Sequence, residues 1–153
     1  MALATPAEAL DATPLKAGFV EEVAIGEPPV WLSAKLDTGA ETSAIHAPVY
    51  AIIAHDGVEY ARFRLLTDDW RLLNVERPVL RRATILKAGA APEERPVVAL
   101  PVCIGGVRAE AEFTLADRTG LKHKVLIGRS FLAGRVIVDA GRTGLVKGGC
   151  GTP

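Results

Sequence analysis

The sequence predicts one all-β domain of barrel-like architecture. Segments in which apolar and polar residues alternate recur along the chain, as in strands with one buried face. Turn signals rich in glycine, aspartate and proline separate these segments at short spacing, and only residues 130–133 suit a helical turn. At 153 residues the chain is long enough for one domain with a buried core.

The first half of the chain contains four predicted strands. They cover residues 19–25, 30–36, 49–55 and 58–66, and residues 42–47 are expected to be extended or tightly turned. Asp56-Gly57 joins the last two strands, and this dipeptide is a strong signal for a two-residue hairpin turn. Residues 67–78 are predicted to form a loop because they contain Asp68-Asp69 and end at Pro78.

The second half begins with a predicted long hairpin. Its strands cover 80–87 and 96–104, and its tip at 88–95 has the Gly, Ala and Pro composition of a mobile flap. Gly105-Gly106 forms the next turn. Three further strands are predicted at 109–115, 125–127 and 136–138.

Composition excludes several classes of function. The formal net charge is zero, so nothing global favours binding to nucleic acid or to a membrane. Cys103 and Cys150 fit neither a disulfide framework nor a zinc pattern, and the histidines (His46, His55 and His123) are scattered. We therefore expect no metal and no cofactor.

The chain is expected to divide into a flexible leader (1–17), a folded domain (18–147) and a flexible tail (148–153). The leader is rich in alanine but lacks a basic segment followed by an apolar core, so we predict no signal peptide. No apolar run is long enough to span a membrane, and a cytoplasmic location is expected.

Asp37-Thr38-Gly39 is the candidate catalytic motif. Taken alone, this tripeptide is a common turn, because aspartate bends the chain and glycine accepts a positive φ. Here it ends an alternating strand, and a second apolar strand far downstream ends in Gly128-Arg129. The two together indicate a carboxylate site.

The order of these motifs resembles a retropepsin, the homodimeric aspartic protease of retroviruses. The segments at 37–47, 95–98, 114–118, 127–129 and 138–139 are similar to a bacterial family of retropepsin-like proteins labelled as ATP-dependent zinc proteases. Members of that family often accompany ATP-grasp glutamate ligases, which extend glutamate tails on ribosomal proteins. The resemblance covers residues 18–147. It implies a closed acid-protease barrel with one lobe per chain and a flap hairpin.

The sequence departs from this pattern in three ways. Gly128 follows Asp37 by 91 positions, which is longer than in the retroviral enzymes, and the surplus lies around 50–96. No credible set of zinc ligands accompanies the zinc label. No ATP-binding signature is present, so ATP dependence would belong to a partner.

Hydrolysis of an amide by carboxylates needs two of them, one ionised and one protonated, flanking a water molecule. The chain offers one Asp-Thr-Gly. Asp139-Ala140-Gly141 lacks the hydroxyl residue and leaves no room for a second lobe, so Asp139 is interpreted as structural. The second carboxylate is therefore expected to be Asp37 of another copy, in a homodimer with a two-fold axis through the site.

Each residue of the motif then has an expected role. Asp37 activates water and protonates the leaving nitrogen. The resemblance implies that Thr38 locks the two loops together across the dimer, that Gly39 admits the substrate backbone, and that Glu41 forms an ion pair with Arg129, with two solvated side chains as the alternative. Predicted substrate contacts are Ala40, Glu41, Lys87 and Gly89, and predicted structural support comes from Gly128 and Arg129. His46 could contact substrate or simply pack.

Three functions remain open from the sequence. The first is an aspartic endopeptidase acting on peptides or protein tails, with glutamate-rich tails as the candidate substrate. The others are a catalytically silent retropepsin fold that binds peptide tails, and a dimerisation module for a glutamate ligase partner. Residues 62–95 carry eight basic and five acidic side chains, which suits either an acidic peptide or a solvated strand face.

Overall fold

The structure, a computed structural model, describes residues 13–86 and 88–151 and is almost entirely β. One short helix, α1, covers Arg129–Leu132. The strands are β1 (Leu15–Ile25), β2 (Val30–Asp37), β3 (Ser43–His46), β4 (Tyr50–His55), β5 (Val58–Leu66), β6 (Leu72–Pro78), β7 (Arg81–Ile85), β8 (Glu93–Ile104), β9 (Val107–Ala116), β10 (Val125–Gly128) and β11 (Val136–Thr143). The predicted all-β class is confirmed.

Eight of these strands form one sheet in the order β11-β1-β2-β10-β3-β9-β8-β7. β1 also pairs with β8, with Ala24 opposite Cys103 and Ile25 opposite Val102. The sheet therefore curls enough for its second strand, β1, to meet its seventh, β8. β4, β5 and β6 form a separate three-stranded sheet. This second sheet lies in the region where the sequence is longer than a retroviral enzyme.

Alternation of apolar and polar residues explains where the core lies. In β2, Leu32, Ala34 and Leu36 are buried, whereas Lys35 is exposed, so each outward residue of this strand reaches solvent. The largest fully buried side chains come from β1, β3, β8, β9, β10 and α1, and include Phe113 and Phe131. The core therefore holds the strand that ends in Asp37 in place from one side.

The strand predictions hold at most positions, and two differences matter. β1 begins at Leu15, four residues before the predicted strand at 19–25 and within the stretch interpreted as a leader. The segment predicted as a loop at 67–78 contains β6, which pairs along its whole length with β5. The Asp68-Asp69 signal marks only the turn between β5 and β6, while Leu72, Leu73 and Val75 supply a strand.

The end of the chain, as far as residue 151, contacts the rest of the domain at several points. Cys103 and Cys150 form a disulfide with a Cα–Cα distance of 5.9 Å, although no disulfide was expected from the sequence. A Cβ on Gly149 would lie 2.6 Å from the backbone nitrogen of Gly106, so the tail packs directly on the β8–β9 turn. The buried carboxylate of Glu21 also accepts hydrogen bonds from the backbone of Leu145 and Val146. Residues 1–12, most of the predicted leader, lie outside the described residues.

None of the helices in residues 13–86 and 88–151 has the length and apolar character needed to cross a membrane.

Candidate active site

The carboxylate of Asp37 is held at the end of β2 by its own turn. Asp37 Oδ1 accepts the backbone N–H of Gly39 at 2.9 Å, and the N–H of Ala40 donates to the Asp37 carbonyl at 3.3 Å. Asp37 Oδ2 lies 4.0 Å from Lys35 Nζ, and the Asp37 side chain is 29% exposed. One carboxylate oxygen is thus fixed by the backbone, and the other faces outward.

The end of β10 supports this loop from below. Gly128 pairs with Asp37 in the parallel β2–β10 ladder, and its N–H donates to the buried Ser43 hydroxyl at 2.9 Å. A Cβ on Gly128 would lie 2.7 Å from the Thr42 carbonyl carbon and 3.0 Å from the Ala40 oxygen. Only glycine permits this approach, so the role predicted for Gly128 has a direct steric basis.

Backbone hydrogen bonds attach α1 to the same loop. The N–H of Arg129 donates to the Ala40 carbonyl at 2.7 Å, and the N–H of Ser130 donates to the Glu41 carbonyl at 3.0 Å. The segment from Asp37 to Ser43 is therefore tied to the β10–α1 junction at several points.

The predicted ion pair between Glu41 and Arg129 is not formed within this chain. Both side chains are exposed, and the Arg129 guanidinium donates to the carbonyl of Thr38 at 3.1 Å. The prediction correctly places the segments of Glu41 and Arg129 side by side, but the hydrogen bonds that join these segments are between backbone atoms. The alternative with solvated side chains describes Glu41, while Arg129 braces the catalytic loop.

The other predicted substrate contacts are accessible. Thr38 and Gly39 are exposed and Ala40 is half-buried. Gly89 is exposed in the β7–β8 turn with a φ of +75°, and no atom lies within 4 Å of a Cβ built there. Lys87 lies outside the described residues.

Arg118 is a site residue to which the sequence reasoning assigned no role, although it stands in a quoted motif. It follows β9 and is fixed by four hydrogen bonds. Its N–H donates to His46 Nδ1 at 2.8 Å and its Nε donates to the His123 carbonyl at 2.9 Å, while its carbonyl accepts from Lys124 Nζ at 2.9 Å and from the Leu121 N–H at 3.0 Å. Burial lowers the pKa of Arg118, the Asp37 carboxylate opposes that shift, and Arg95 adds to it. Arg118 therefore lies within electrostatic reach of the Asp37 carboxylate.

Two histidines, His46 and His123, lie beside Arg118. Burial lowers the pKa of His46 first, and Lys124 and Arg118 add to the shift while Asp117 opposes it. Burial likewise lowers the pKa of His123, followed by Lys122, Lys35 and Arg118. Both imidazoles are therefore neutral at pH 7, and His46, which accepts at Nδ1, has a structural role in holding the loop of Arg118.

Asp139 forms the same turn as Asp37, but its strand has different neighbours in the sheet. Its Oδ1 accepts the N–H of Gly141 at 3.0 Å, and its Oδ2 lies 3.7 Å from both Lys16 and Arg142. Asp139 sits on β11, at the outer edge of the eight-stranded sheet, next to β1.

Five cavities of about 80 to 400 Å³, formed by the described residues, are lined by residues other than Asp37. The largest of these five lies against the β4–β5–β6 sheet. Within the same part of the chain, no group of three or more His, Cys, Asp or Glu side chains could hold a metal ion. The exposed Thr38 and Gly39 place the Asp37 loop at the surface of the single chain.

Comparison with known proteins agrees with this arrangement. A family model described as RimB-like, retropepsin-like aspartic endopeptidase RimB, matches residues 17–147. The chain is 30% identical over 111 residues to a probable alpha-L-glutamate ligase from Desulfotalea psychrophila, covering 71% of this chain and 24% of that protein. A protein of the same name from Shewanella pealeana is 30% identical over 119 residues, covering 76% of this chain and 26% of that protein. The chain thus spans about a quarter of the length of these curated relatives.

A solved structure shares the fold. The crystal structure of a protein of unknown function from Legionella pneumophila subsp. pneumophila str. Philadelphia 1 superposes with a TM-score of 0.74 at 27% identity. The match covers 88% of this chain and all of the other.

Proposed function

Because the chain belongs to the RimB-like family of retropepsin-like aspartic endopeptidases, we propose that it hydrolyses peptide bonds with a water molecule activated by two Asp37 carboxylates, one from each copy of a homodimer. The observation that carries the proposal is the Asp37 carboxylate itself. Gly39 fixes one of its oxygens, Gly128 pairs with its backbone, and its other oxygen faces outward from a half-buried side chain at the surface of the chain. An open half-site is what a two-fold axis through the site requires.

The chemistry follows from bringing two such carboxylates together. Like charges at close range cannot both ionise, so the pair shares a proton and titrates as a unit. The ionised Asp37 takes a proton from the attacking water. The protonated one donates to the substrate and, as the tetrahedral intermediate collapses, the leaving nitrogen receives a proton. The exposed Thr38 is positioned to join the two loops across the axis.

The proposal includes the fold details of this enzyme class. These are a closed barrel, one lobe per chain, with the β7–β8 hairpin as a flap over the cleft. The pairing of β1 with β8 supports closure, and the unobstructed Gly89 supports a flap tip free to close on substrate.

Acidic peptides, and glutamate-rich tails in particular, are the proposed substrates. Two basic side chains lie near Asp37: Lys35, whose Nζ is 4.0 Å from Asp37 Oδ2, and Arg118, on whose charge the Asp37 carboxylate acts. Arg81 reaches the hydroxyl of Thr42, in the loop after Asp37, at 3.5 Å. A basic cleft attracts a polyanionic peptide and speeds its encounter. The names of the curated relatives, probable alpha-L-glutamate ligases, support a ligase as the source of such tails and as a partner.

The test is cleavage of a glutamate-rich peptide by wild type, Asp37→Asn and the control Asp139→Asn. We expect Asp37→Asn to fold and to lose turnover, because an amide cannot share the proton, whereas Asp139→Asn keeps it. Turnover retained by purified Asp37→Asn would remove Asp37 from the mechanism. Turnover lost on adding a chelator would indicate a metal enzyme.

A catalytically silent peptide-binding module is the second candidate. β7 forms one edge of the eight-stranded sheet, so its free backbone could take an added strand from a peptide. The two candidates differ in the wild-type protein: the binding module retains the acidic peptide uncut at every pH, whereas the endopeptidase releases fragments.

We also propose a cytoplasmic location. Structural disulfides are rare in the cytosol, so the state of Cys103 and Cys150 tests it. Trapping thiols at cell lysis should find the pair reduced in a cytoplasmic enzyme. A fully oxidised pair would place the protein in an oxidising compartment.

A further inference from the structure

Arg118 is a half-buried arginine without a carboxylate partner among the described residues. Its Nε donates to the carbonyl of His123, and no other hydrogen bond or ion pair of its guanidinium occurs in the part of the chain that the structure describes. No buried side-chain nitrogen or oxygen lacks a partner there, so the terminal nitrogens of Arg118 reach solvent. The guanidinium thus presents donors to whatever enters the site.

A neighbouring arginine provides the contrast. Arg95 is also half-buried, with 15% of its side chain exposed, but both its Nε and its terminal nitrogen donate to the Glu93 carboxylate at 3.2 and 3.3 Å. Arg95 therefore has an acidic partner, and Arg118 has none among the residues that the structure describes. A planar guanidinium of this kind binds a carboxylate through two parallel hydrogen bonds.

The backbone of Arg118 is held in one place. The bonds to His46 and from Lys124 fix its N–H and its carbonyl. The loop that carries it leads into the first residue of β10, Val125, whereas the last residue, Gly128, pairs with Asp37. Three residues of strand, about 10 Å, therefore separate this loop from Asp37 along β10, and the long Arg118 side chain lies close enough for the Asp37 carboxylate to act on its charge.

We propose that Arg118 is a specificity-determining residue, whose guanidinium binds the carboxylate of an acidic substrate side chain next to the bond cleaved at Asp37. The cleavage in this statement rests on the proposed function, whereas the recognition of a carboxylate rests on Arg118 alone. Asp37 is not a partner of the Arg118 guanidinium, since its Oδ1 accepts the N–H of Gly39 and its Oδ2 lies 4.0 Å from Lys35 Nζ.

The experiment uses two labelled peptides that differ only in having an unbroken run of glutamates or of glutamines. Cleavage is measured as kcat/KM for wild type, Arg118→Gln, Arg118→Lys and the control Arg108→Gln. Arg108 lies at the opposite end of β9, beside Cys103, so its change alters net charge equally but away from the site. We expect Arg118→Gln to lower kcat/KM for the glutamate peptide about 10- to 100-fold, as for loss of a charge-assisted hydrogen bond.

The ratio of the two peptides separates recognition from a structural role. In Arg118→Gln the preference for glutamate should fall close to one, the glutamine peptide should change less than about threefold, and Arg118→Lys should restore part of the preference. Arg108→Gln should keep the wild-type ratio. An equal loss on both peptides, or an unchanged ratio, would overturn the proposal.

Binding separates this inference from the proposed activity. The same peptides are titrated into Asp37→Asn protein, with and without Arg118→Gln, and followed by fluorescence anisotropy. If wild type cleaves neither peptide but the glutamate peptide binds more tightly in an Arg118-dependent way, the inference holds and the endopeptidase proposal fails. Equal binding of the two peptides would refute Arg118 as a carboxylate receptor, whatever the activity.

Discussion

The approach of Gly128 to the catalytic loop gives a sharp prediction for a single methyl group. In Gly128→Ala the new Cβ would lie 2.7 Å from the Thr42 carbonyl carbon and 2.9 Å from its oxygen, whereas ordinary contacts begin near 3.4 Å. The atoms in the way belong to the backbone and cannot rotate aside. We expect the overpacking to cost about 3 kcal/mol, the upper end of the usual 1–3 kcal/mol range.

Gly141→Ala is the matched control. Gly141 also has no positive φ, and its Cβ would meet only Asp139 Oδ1 at 3.4 Å, an ordinary contact. Thermal unfolding followed by circular dichroism, at one protein concentration, should show Gly128→Ala melting roughly 6–12 °C below wild type, because about 1 kcal/mol shifts a domain of this size by 2–4 °C. Gly141→Ala should melt within about 2 °C of wild type.

The same substitution reports on the site. Because Gly128 pairs with Asp37, a displaced β10 should also lower peptide cleavage at temperatures where the variant is still folded. Equal melting temperatures for the two variants would refute the steric account of Gly128. A lower melting temperature with full activity would separate stability from the geometry of the Asp37 loop.

Three further predictions concern the disulfide, the loop brace and His46. Cys103→Ser should cost about 4 kcal/mol in urea unfolding, since the bond spans 47 residues, and no difference from wild type without reductant would contradict a formed disulfide. Arg129→Met loses the hydrogen bond to the Thr38 carbonyl, so it should lower the free energy of unfolding by about 0.5–1.5 kcal/mol, additively with Glu41→Gln. A coupling energy above about 0.5 kcal/mol would indicate that Glu41 and Arg129 do form an ion pair. The pKa of His46 is lower in the folded than in the unfolded protein, so the contribution of its neutral imidazole to folding stability is full above about pH 6.5 and is lost as the pH falls. Unfolding measured at about pH 7 and at about pH 5 should therefore show wild type losing more stability than His46→Asn.

Sequence patterns predicted the strands best where one face is buried and the turn residues are unambiguous. The Asp56-Gly57 hairpin forms as expected, with φ of +51° and +77° at the two residues, because few other residues accept that conformation. β6 was missed because the acidic pair before it is a turn signal. The alternation of its sequence is weak, because Leu72 is apolar yet exposed and Arg77 stands on the half-buried face with Leu73 and Val75.

Contacts distant in sequence could not be predicted from composition. Glu21 looks like one of two solvated acids in a strand, yet its carboxylate is buried and accepts backbone N–H groups from Gly18, Leu145 and Val146. These partners lie up to 125 positions away. Cys103 and Cys150 likewise meet only because the end of the chain returns to the β8–β9 turn.

The proximity of several residues around Asp37 was predictable, whereas their catalytic roles stay a prediction. Asp37, Gly39 and Gly128 lie together, as their positions at strand ends and the local signatures of glycine indicate. Arg118 acquires its importance from burial and from the absence of a carboxylate partner among the described residues, and neither property can be read from neighbouring residues. Glu41 and Arg129 were placed near each other correctly, but which of their atoms meet depends on the path of the backbone.

The central claim, that two copies each supply one Asp37, is tested most directly by mixing wild type with Asp37→Asn. Equal amounts are allowed to exchange subunits at constant total concentration, and cleavage of the glutamate peptide is compared with that of wild type alone. If both carboxylates are needed, only dimers of two wild-type chains are active, and the rate falls to about one quarter. A rate of about one half would mean that each chain works alone, which would contradict the paired Asp37 site.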